Sequence, residues 1–164
     1  MVIEGPIRGY KAFSKGLINS YDVSFEVGKN YHVDGDIKFG TTGNGFHFCK
    51  NMEDTLRYVN GIDEEIEICE VVGSGTIVEF EDDYYGYYDM YACSDLYIEK
   101  ILTREEIMDM AHHMNEIGLH RLFMGYKLTK EELEDLKKLI KPYQKHLEKT
   151  ISYFQLGDKD VYNR

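Results

Sequence analysis

The sequence predicts an α+β fold, a mainly antiparallel sheet domain followed by a C-terminal helical part. Three observations carry this expectation. Up to about Leu102 apolar and polar residues alternate, as in Tyr21-Asp-Val-Ser-Phe-Glu-Val27, which is the two-residue period of a half-buried strand. After Thr103 the period becomes helical, and two Thr-x-x-Glu capping boxes, Thr103 to Glu106 and Thr129 to Glu132, open apolar stripes. The charge changes at the same place: residues 1–100 hold 19 acids against 8 bases, whereas residues 101–164 hold 11 of each. The chain therefore divides into a β-rich acidic domain, residues 1–102, and a helical extension, residues 103–164. That extension either packs on the first domain or self-associates.

Taken in order, Ile7 to Phe13 reads as a first strand, closed by Ser14-Lys15-Gly16. Tyr21, Val23, Phe25 and Val27 share one face of a second strand, ended by the turn Gly28-Lys29-Asn30. Tyr31-His32-Val33 begins an extended piece, and Asp34-Gly35 is a hairpin signal that pairs it with Ile37-Lys38-Phe39. Glycines then lead into Phe46 to Cys49, where Phe46 and Phe48 share one face and His47 and Cys49 the other. Asn51 is placed to cap a following helix, with Asp54 in its positive first turn and Leu56 and Val59 turned inward. Glu65 to Val72 and Gly75 to Phe80 alternate on either side of a Gly-Ser-Gly turn, and Asp95 to Leu102 is the last strand.

The helical pattern covers 104–117, with Ile107, Met110, Ala111, Met114 and Ile117 as its stripe, while Leu119 to Leu128 is mixed. From 130 to 154 a near-heptad seam runs through Leu133, Leu136, Ile140, Tyr143, Leu147, Ile151 and Phe154, and Pro142 should break it. Gly157 to Arg164 reads as frayed.

Composition narrows the function classes. No apolar run approaches the roughly 20 residues that span a bilayer, and the first residues lack the basic start and apolar stretch of a signal peptide. Three widely spaced cysteines, Cys49, Cys69 and Cys93, argue against a disulfide framework. A reduced, cytoplasmic chain is the expectation. A net charge of -11, all of it in the first domain, disfavours direct nucleic-acid binding.

Candidate chemistry is sparse. His47 and Cys49 share a strand face, but zinc needs further ligands and no Cys-x-x-Cys or paired His motif supplies them, so no metal is expected. A nucleophilic Cys49 with His47 as base competes with the simpler reading that the two side chains pack. His112 and His113 are adjacent on a helix and point apart. The acidic run Glu79, Glu81, Asp82 and Asp83, followed by Tyr84 and Tyr85, combines charge steering with apolar contact and is the candidate binding site.

Two resemblances add to this. Tyr10-Lys-Ala-Phe13, Phe25-Glu-Val-Gly-Lys-Asn-Tyr31 and Gly45-Phe-His-Phe-Cys49, over residues 8–107, resemble an uncharacterised domain family of phages, prophages and bacteria. The chain departs from it where a Cys-Arg-Gly-type turn often precedes the second strand and Asn19-Ser20-Tyr21 stands here. More distantly, Arg8-Gly9, the segment from Gly45 to Tyr58, and Ser94-Asp95-Leu-Tyr97 resemble the three-part layout of ADP-ribosyltransferases. That layout implies NAD held by Arg8, nicotinamide stacked on Tyr58, and Asp95 as the late acid. The usual late acid is Glu, and Asp95 is one methylene shorter, with Glu99 displaced from its place.

The function expected from the sequence is a non-catalytic acidic module of phage or mobile-element type that binds another, basic protein. One form of it is an anti-defence decoy whose carboxylates imitate nucleic-acid phosphates. It needs no cofactor and no membrane, and it acts as a monomer, with a dimer through the C-terminal helices as the alternative. The alternative function is an NAD-dependent ADP-ribosyltransferase.

Overall fold

The computed structural model describes residues 2–39, 43–80 and 90–164. Two compact units account for the chain: Met1–Thr55 with Ile66–Leu102, and Leu56–Glu65 with Thr103–Arg164. Together they are α+β.

The first unit carries six strands: β1 (Val2–Ile3), β2 (Ile7–Ser14), β3 (Asn30–His32), β4 (Phe46–Cys49), β5 (Ile66–Glu79) and β6 (Met90–Ile101). All pairings are antiparallel. β5 pairs with β2 and β6, and β4 pairs with both β2 and β6, so the circuit β5–β2–β4–β6 closes into a small barrel. The length of β5 and β6 makes this closure feasible. Each has room for two partners along one edge, β1 and β2 on β5 and β3 and β4 on β6. Closure removes unpaired edges that would otherwise invite association.

The core comes from inward positions of these strands: Phe13, Phe48, Val71, Ile77, Cys93, Leu96 and Ile98, with Phe25 from a loop. Phe48 sets the local spacing. Its ring lies so close to β2 and β5 that a Cβ at Gly9 would stand 2.6 Å from it, and one at Gly73 2.5 Å. Two strands thus approach a third through positions without side chains.

Several expected elements change here. Gly73-Ser74-Gly75 is no turn: β5 runs through it as one 14-residue strand, with irregular register between Ser74 and Ile77. Gly75, at φ +71°, supplies the local distortion of a bulge. Tyr21 to Val27 is not a strand. Asn19 Oδ1 accepts the N–H groups of Tyr21 and Val23, both at 2.9 Å, which takes away the donors a ladder needs. Asp22 is also left-handed at φ 60°, and only Phe25 turns inward while Tyr21 stays 74% exposed. The hairpin at Asp34-Gly35 does not form either. β3 pairs with β6, and Asn44 donates its side-chain amide to the carbonyls of Asp34 and Asp36. After β4 the chain forms a 3-10 helix, Met52–Tyr58, in which Asp54 is fully buried and Leu56 points inward.

The second unit contains α1 (Arg104–Ala111), α2 (Glu116–Gly125), α3 (Lys130–Lys137) and α4 (Lys145–Thr150), which continues into a π-helical turn, Ile151–Gln155. Both capping boxes form, at Thr103 and Thr129. The single helix expected over 104–117 is two. Asn115 accepts from Gly118 N at 2.8 Å and starts α2, which absorbs most of the segment that read as mixed. The seam breaks at Lys138, ahead of Pro142, and Tyr143 is 80% exposed, whereas Leu133, Leu136, Leu147 and Ile151 are buried. Gly157 to Arg164 is ordered by a 3-10 turn, Val161–Asn163, and by Arg164 bridging both oxygens of Asp158. Residues 56–65 join this unit through a parallel bridge between Gly61 and Tyr126. Arg104 ties the start of α1 to Glu132 of α3 and to the Lys127 carbonyl, with Tyr126 beneath its guanidinium. Among the described residues no helix is long and apolar enough to cross a membrane.

Alanine at Gly73 meets side chains only, the Phe48 ring and, at 3.3 Å, Cys93 Sγ; alanine at Gly9 also meets the Cys49 carbonyl oxygen at 2.5 Å. Each substitution should destabilise by about 1–3 kcal/mol in urea unfolding. Phe48→Leu should relieve Gly73→Ala but not Gly9→Ala. Equal relief of both would show that the carbonyl contact is not limiting.

Candidate functional site

The polar groups of the barrel unit gather in three places. The first is on the outer side of β2, β5 and β6. Arg8 Nη1 bonds Glu99 Oε2 and lies 3.6 Å from Glu70 Oε1. The Arg8 side chain is 65% exposed, so the pairs contribute little stability, but they decide what Arg8 faces.

The second cluster lies where β3 meets β6. His32 and Asp95 are direct cross-strand partners. His32 Nδ1 bonds Asp95 Oδ1 at 2.9 Å and Nε2 bonds Asp34 Oδ1 at 2.8 Å. With a carboxylate at each ring nitrogen, the protonated imidazole donates twice. Bonding to Asp34, then to Asp95, holds His32 above its ordinary value. The other Asp95 oxygen accepts from Ser94 Oγ at 2.7 Å, and this bond, then His32, holds Asp95 below the ordinary carboxylate value. Ser94 Oγ in turn accepts from Thr76 N at 2.9 Å, within the irregular stretch of β5. The order serine, aspartate, histidine, aspartate is a charge clamp. No hydroxyl here is activated by the imidazole, because both ring nitrogens are engaged by carboxylates.

The third place is the seam between β2 and β4, whose only ladder pair is Tyr10 with Cys49. Lys11 sits on the core-facing side of β2, in line with Gly9 and Phe13 and opposite Cys69. Its Nζ donates to the His47 carbonyl at 2.6 Å and so bridges the seam where the ladder stops. Burial pushes the amine down to about 8. The same surroundings act on their neighbours. Burial and then Lys11 push the His47 imidazole down to about 4, and burial pushes Cys69 and Cys93 up to about 12. His47 packs edge-on against Phe39 at 5.2 Å, and all three cysteines are free and buried. With their thiols raised, Cys69 and Cys93 are packing groups, not activated nucleophiles. Among the described residues no group of three or more His, Cys, Asp or Glu side chains is arranged to hold a metal ion.

Arg8 and Asp95 therefore close on different partners: Arg8 on Glu99 and Glu70, Asp95 on Ser94 and His32. Tyr58 belongs to the second unit, where the Arg57 guanidinium carbon lies 5.1 Å from its ring centre. Glu79 ends β5 opposite Tyr91. Glu81, Asp82, Asp83, Tyr84 and Tyr85 lie outside the described residues. Lys11 and His32 were not singled out from the sequence. Lys11 had a signal, since alternation through Ile7, Gly9 and Phe13 places it inward. His32 had only its spacing of two from Asp34 on an extended piece, since its other partner, Asp95, is 63 residues away.

Fold and clusters define a small acidic α+β protein built on a closed antiparallel barrel with a lysine-bridged seam. The chain belongs to the family described as a domain of unknown function (DUF7666), whose model matches residues 7–110, from β2 into α1. No curated protein and no solved structure matches the chain.

Two titrations follow. His32 contributes stability fully below its ordinary value of 6.5 and loses it as pH rises through its higher folded value; Asp95 contributes above its ordinary value of 3.8 and loses it as pH falls through its lower folded value. In a proton NMR titration His32 should have a midpoint above 6.5, lowered by Asp34→Asn or Asp95→Asn, while His47 titrates near 4. A His32 midpoint at or below 6.5 would remove the clamp. For Lys11 the sign is opposite to that of a paired lysine. Between about 8 and the ordinary 10.5 the unfolded chain holds more protons, so stability rises with pH. Relative to Lys11→Met, the natural chain should gain stability between pH 8 and pH 10 in urea unfolding. An unchanged difference would mean the amine is not desolvated.

Proposed function

We propose that this chain is a non-catalytic acidic interaction module of phage or mobile-element type, working in the cytoplasm as a monomer and binding a basic host protein. A decoy in which carboxylates stand in for nucleic-acid phosphates is one form of this activity. The observation that carries the reading is the disposition of charge. The whole net charge of -11 belongs to residues 1–100. Within the barrel unit Arg8 is engaged by Glu99 and Glu70, Lys29 by Glu26, and Lys11 by a backbone carbonyl. With these cations committed to intramolecular partners, the surplus carboxylates set the field that an approaching protein meets.

The NAD-dependent alternative asks more of the molecule. Arg8 would have to leave Glu99 and Glu70, and Asp95 would have to leave its clamp, before either met a dinucleotide. Catalysis of that kind rests on groups held in place beforehand.

The test uses the sequence positions of the acidic run. In affinity capture from a bacterial lysate, the natural chain should retain a partner of basic isoelectric point. With Glu79 and Glu81 changed to Gln and Asp82 and Asp83 to Asn, association with that purified partner should slow by about tenfold at low salt and lose much of its salt dependence. Unchanged on-rates would remove the charge argument. Calorimetry with NAD should show no saturable binding below about 1 mM; saturable binding lost in Arg8→Ala would replace this reading with the enzymatic one.

A further inference from the structure

The balanced charge of the helical unit hides a separation. Residues 103–136 hold 4 bases against 8 acids, whereas residues 137–149 hold 5 lysines against a single acid, Glu148. This second stretch carries the chain from the last turn of α3 round into α4. Lys137, Lys138, Lys141, Lys145 and Lys149 are all exposed. Lys145 and Lys149 stand one turn apart on α4, on the side away from buried Leu147. The ion pairs of this unit use other residues, Arg104 with Glu132, His112 with Asp135, His146 with Glu116 and Arg164 with Asp158. Among the described residues none of the five lysines joins a carboxylate.

The lysines flank an apolar tip. Tyr143 is 80% exposed and Pro142 is exposed beside it, with Leu139 and Ile140 half-buried. The backbone of the tip is largely occupied. Leu139 N–H donates to the Leu136 carbonyl, Ile140 to Lys137, Gln144 to Lys141 and Leu147 to Gln144, and Lys141 N–H bonds Gln144 Oε1 at 2.9 Å. No arginine lies in residues 137–149. A fixed phosphate site is built from converging backbone donors or from an arginine fork, and this corner offers little of the first and none of the second. A single-stranded nucleic acid would find one exposed aromatic ring, Tyr143, on which to stack. Mobile ammonium charge around an apolar tip suits a fluid anionic surface instead. Lysines are drawn to its headgroups, and tyrosine favours the headgroup level.

We propose that the α3–α4 corner, Lys137 to Lys149, is a peripheral docking surface for an anionic lipid membrane, with the lysines over the headgroups and Tyr143 and Ile140 set between them. This departs from the sequence expectation of no membrane partner, and it uses none of the acidic residues of the proposed function. The net charge of -11 does not forbid the contact. At physiological salt a charge more than about 8 Å from the surface is largely screened, so the charge of the corner decides. Five lysines and a short apolar tip give reversible binding, not an anchor.

Co-flotation of the full chain with unilamellar vesicles tests this. The chain should float with phosphatidylcholine vesicles containing about one third phosphatidylserine, should not float with phosphatidylcholine alone, and should be released by about 0.5 M salt. Each lysine at such a surface changes partition about fivefold, so Lys145→Gln with Lys149→Gln should weaken it roughly twenty-five-fold. Glu148→Gln should tighten it about fivefold, a gain that misfolding cannot produce. Equal flotation with both vesicle types overturns the proposal, as does a Glu148→Gln chain that binds no tighter. Tighter binding to single-stranded or duplex DNA than to the anionic vesicles, lost with the same two lysines, overturns it in favour of a nucleic-acid surface.

Discussion

The barrel depends on one aromatic ring. Phe48 lies between β2 and β5 at a distance that no side chain at Gly9 or Gly73 would permit. A four-residue strand is a weak closing element by its ladder alone, and β4 has a single pair with β2. Burying a phenylalanine between two bare stretches of backbone joins β4 to β2 and β5 through dispersion and exclusion of water, which are not directional and need no register. Tyr91 of β6 stacks on the same ring, at 5.2 Å, so all four strands of the circuit converge on Phe48.

Lys11 complements that contact with a polar one. Its amine lies 5.7 Å from the Phe13 ring centre and donates to the His47 carbonyl, one residue before Phe48. A buried ammonium is costly without a counter-charge, and among the described residues no carboxylate is paired with it. The molecule lessens that penalty by letting the amine release its proton more readily, down to about 8. Burial, and then the same positive charge, keep His47 neutral. Of the pair that looked most like chemistry in the sequence, His47 and Cys49, the histidine is thus kept from its charge by burial and by a neighbour that did not.

How far the fold was legible depends on the range of the interactions concerned. The fold class and both capping boxes follow from residues within a few positions of one another, and these were read correctly. Misreadings arose where a local signal served another purpose. The glycines at 73 and 75 resemble a turn, yet they admit Phe48 and a bulge in a continuous strand. The alternation from Tyr21 to Val27 resembles a strand, yet Asn19 captures its N–H groups. Asp34-Gly35 resembles a hairpin, yet β3 belongs to β6, more than 60 residues on. Such pairings are decided by tertiary packing and leave no trace in a short window.

Clusters of charge follow the same logic at longer range. Arg8, Tyr58 and Asp95 stand in a plausible order along the chain, but a charged group faces whatever opposite charge the strand register brings nearest. For Arg8 that is Glu99 and Glu70, because β2, β5 and β6 lie in consecutive positions around the barrel. For Asp95 it is His32, its cross-strand partner. Register therefore converts scattered residues into self-contained pairs, and each pair neutralises one base of a unit that has few. What the pairing leaves over is acid, which is why the charge of this surface, more than any single residue on it, is the property that a partner would meet first.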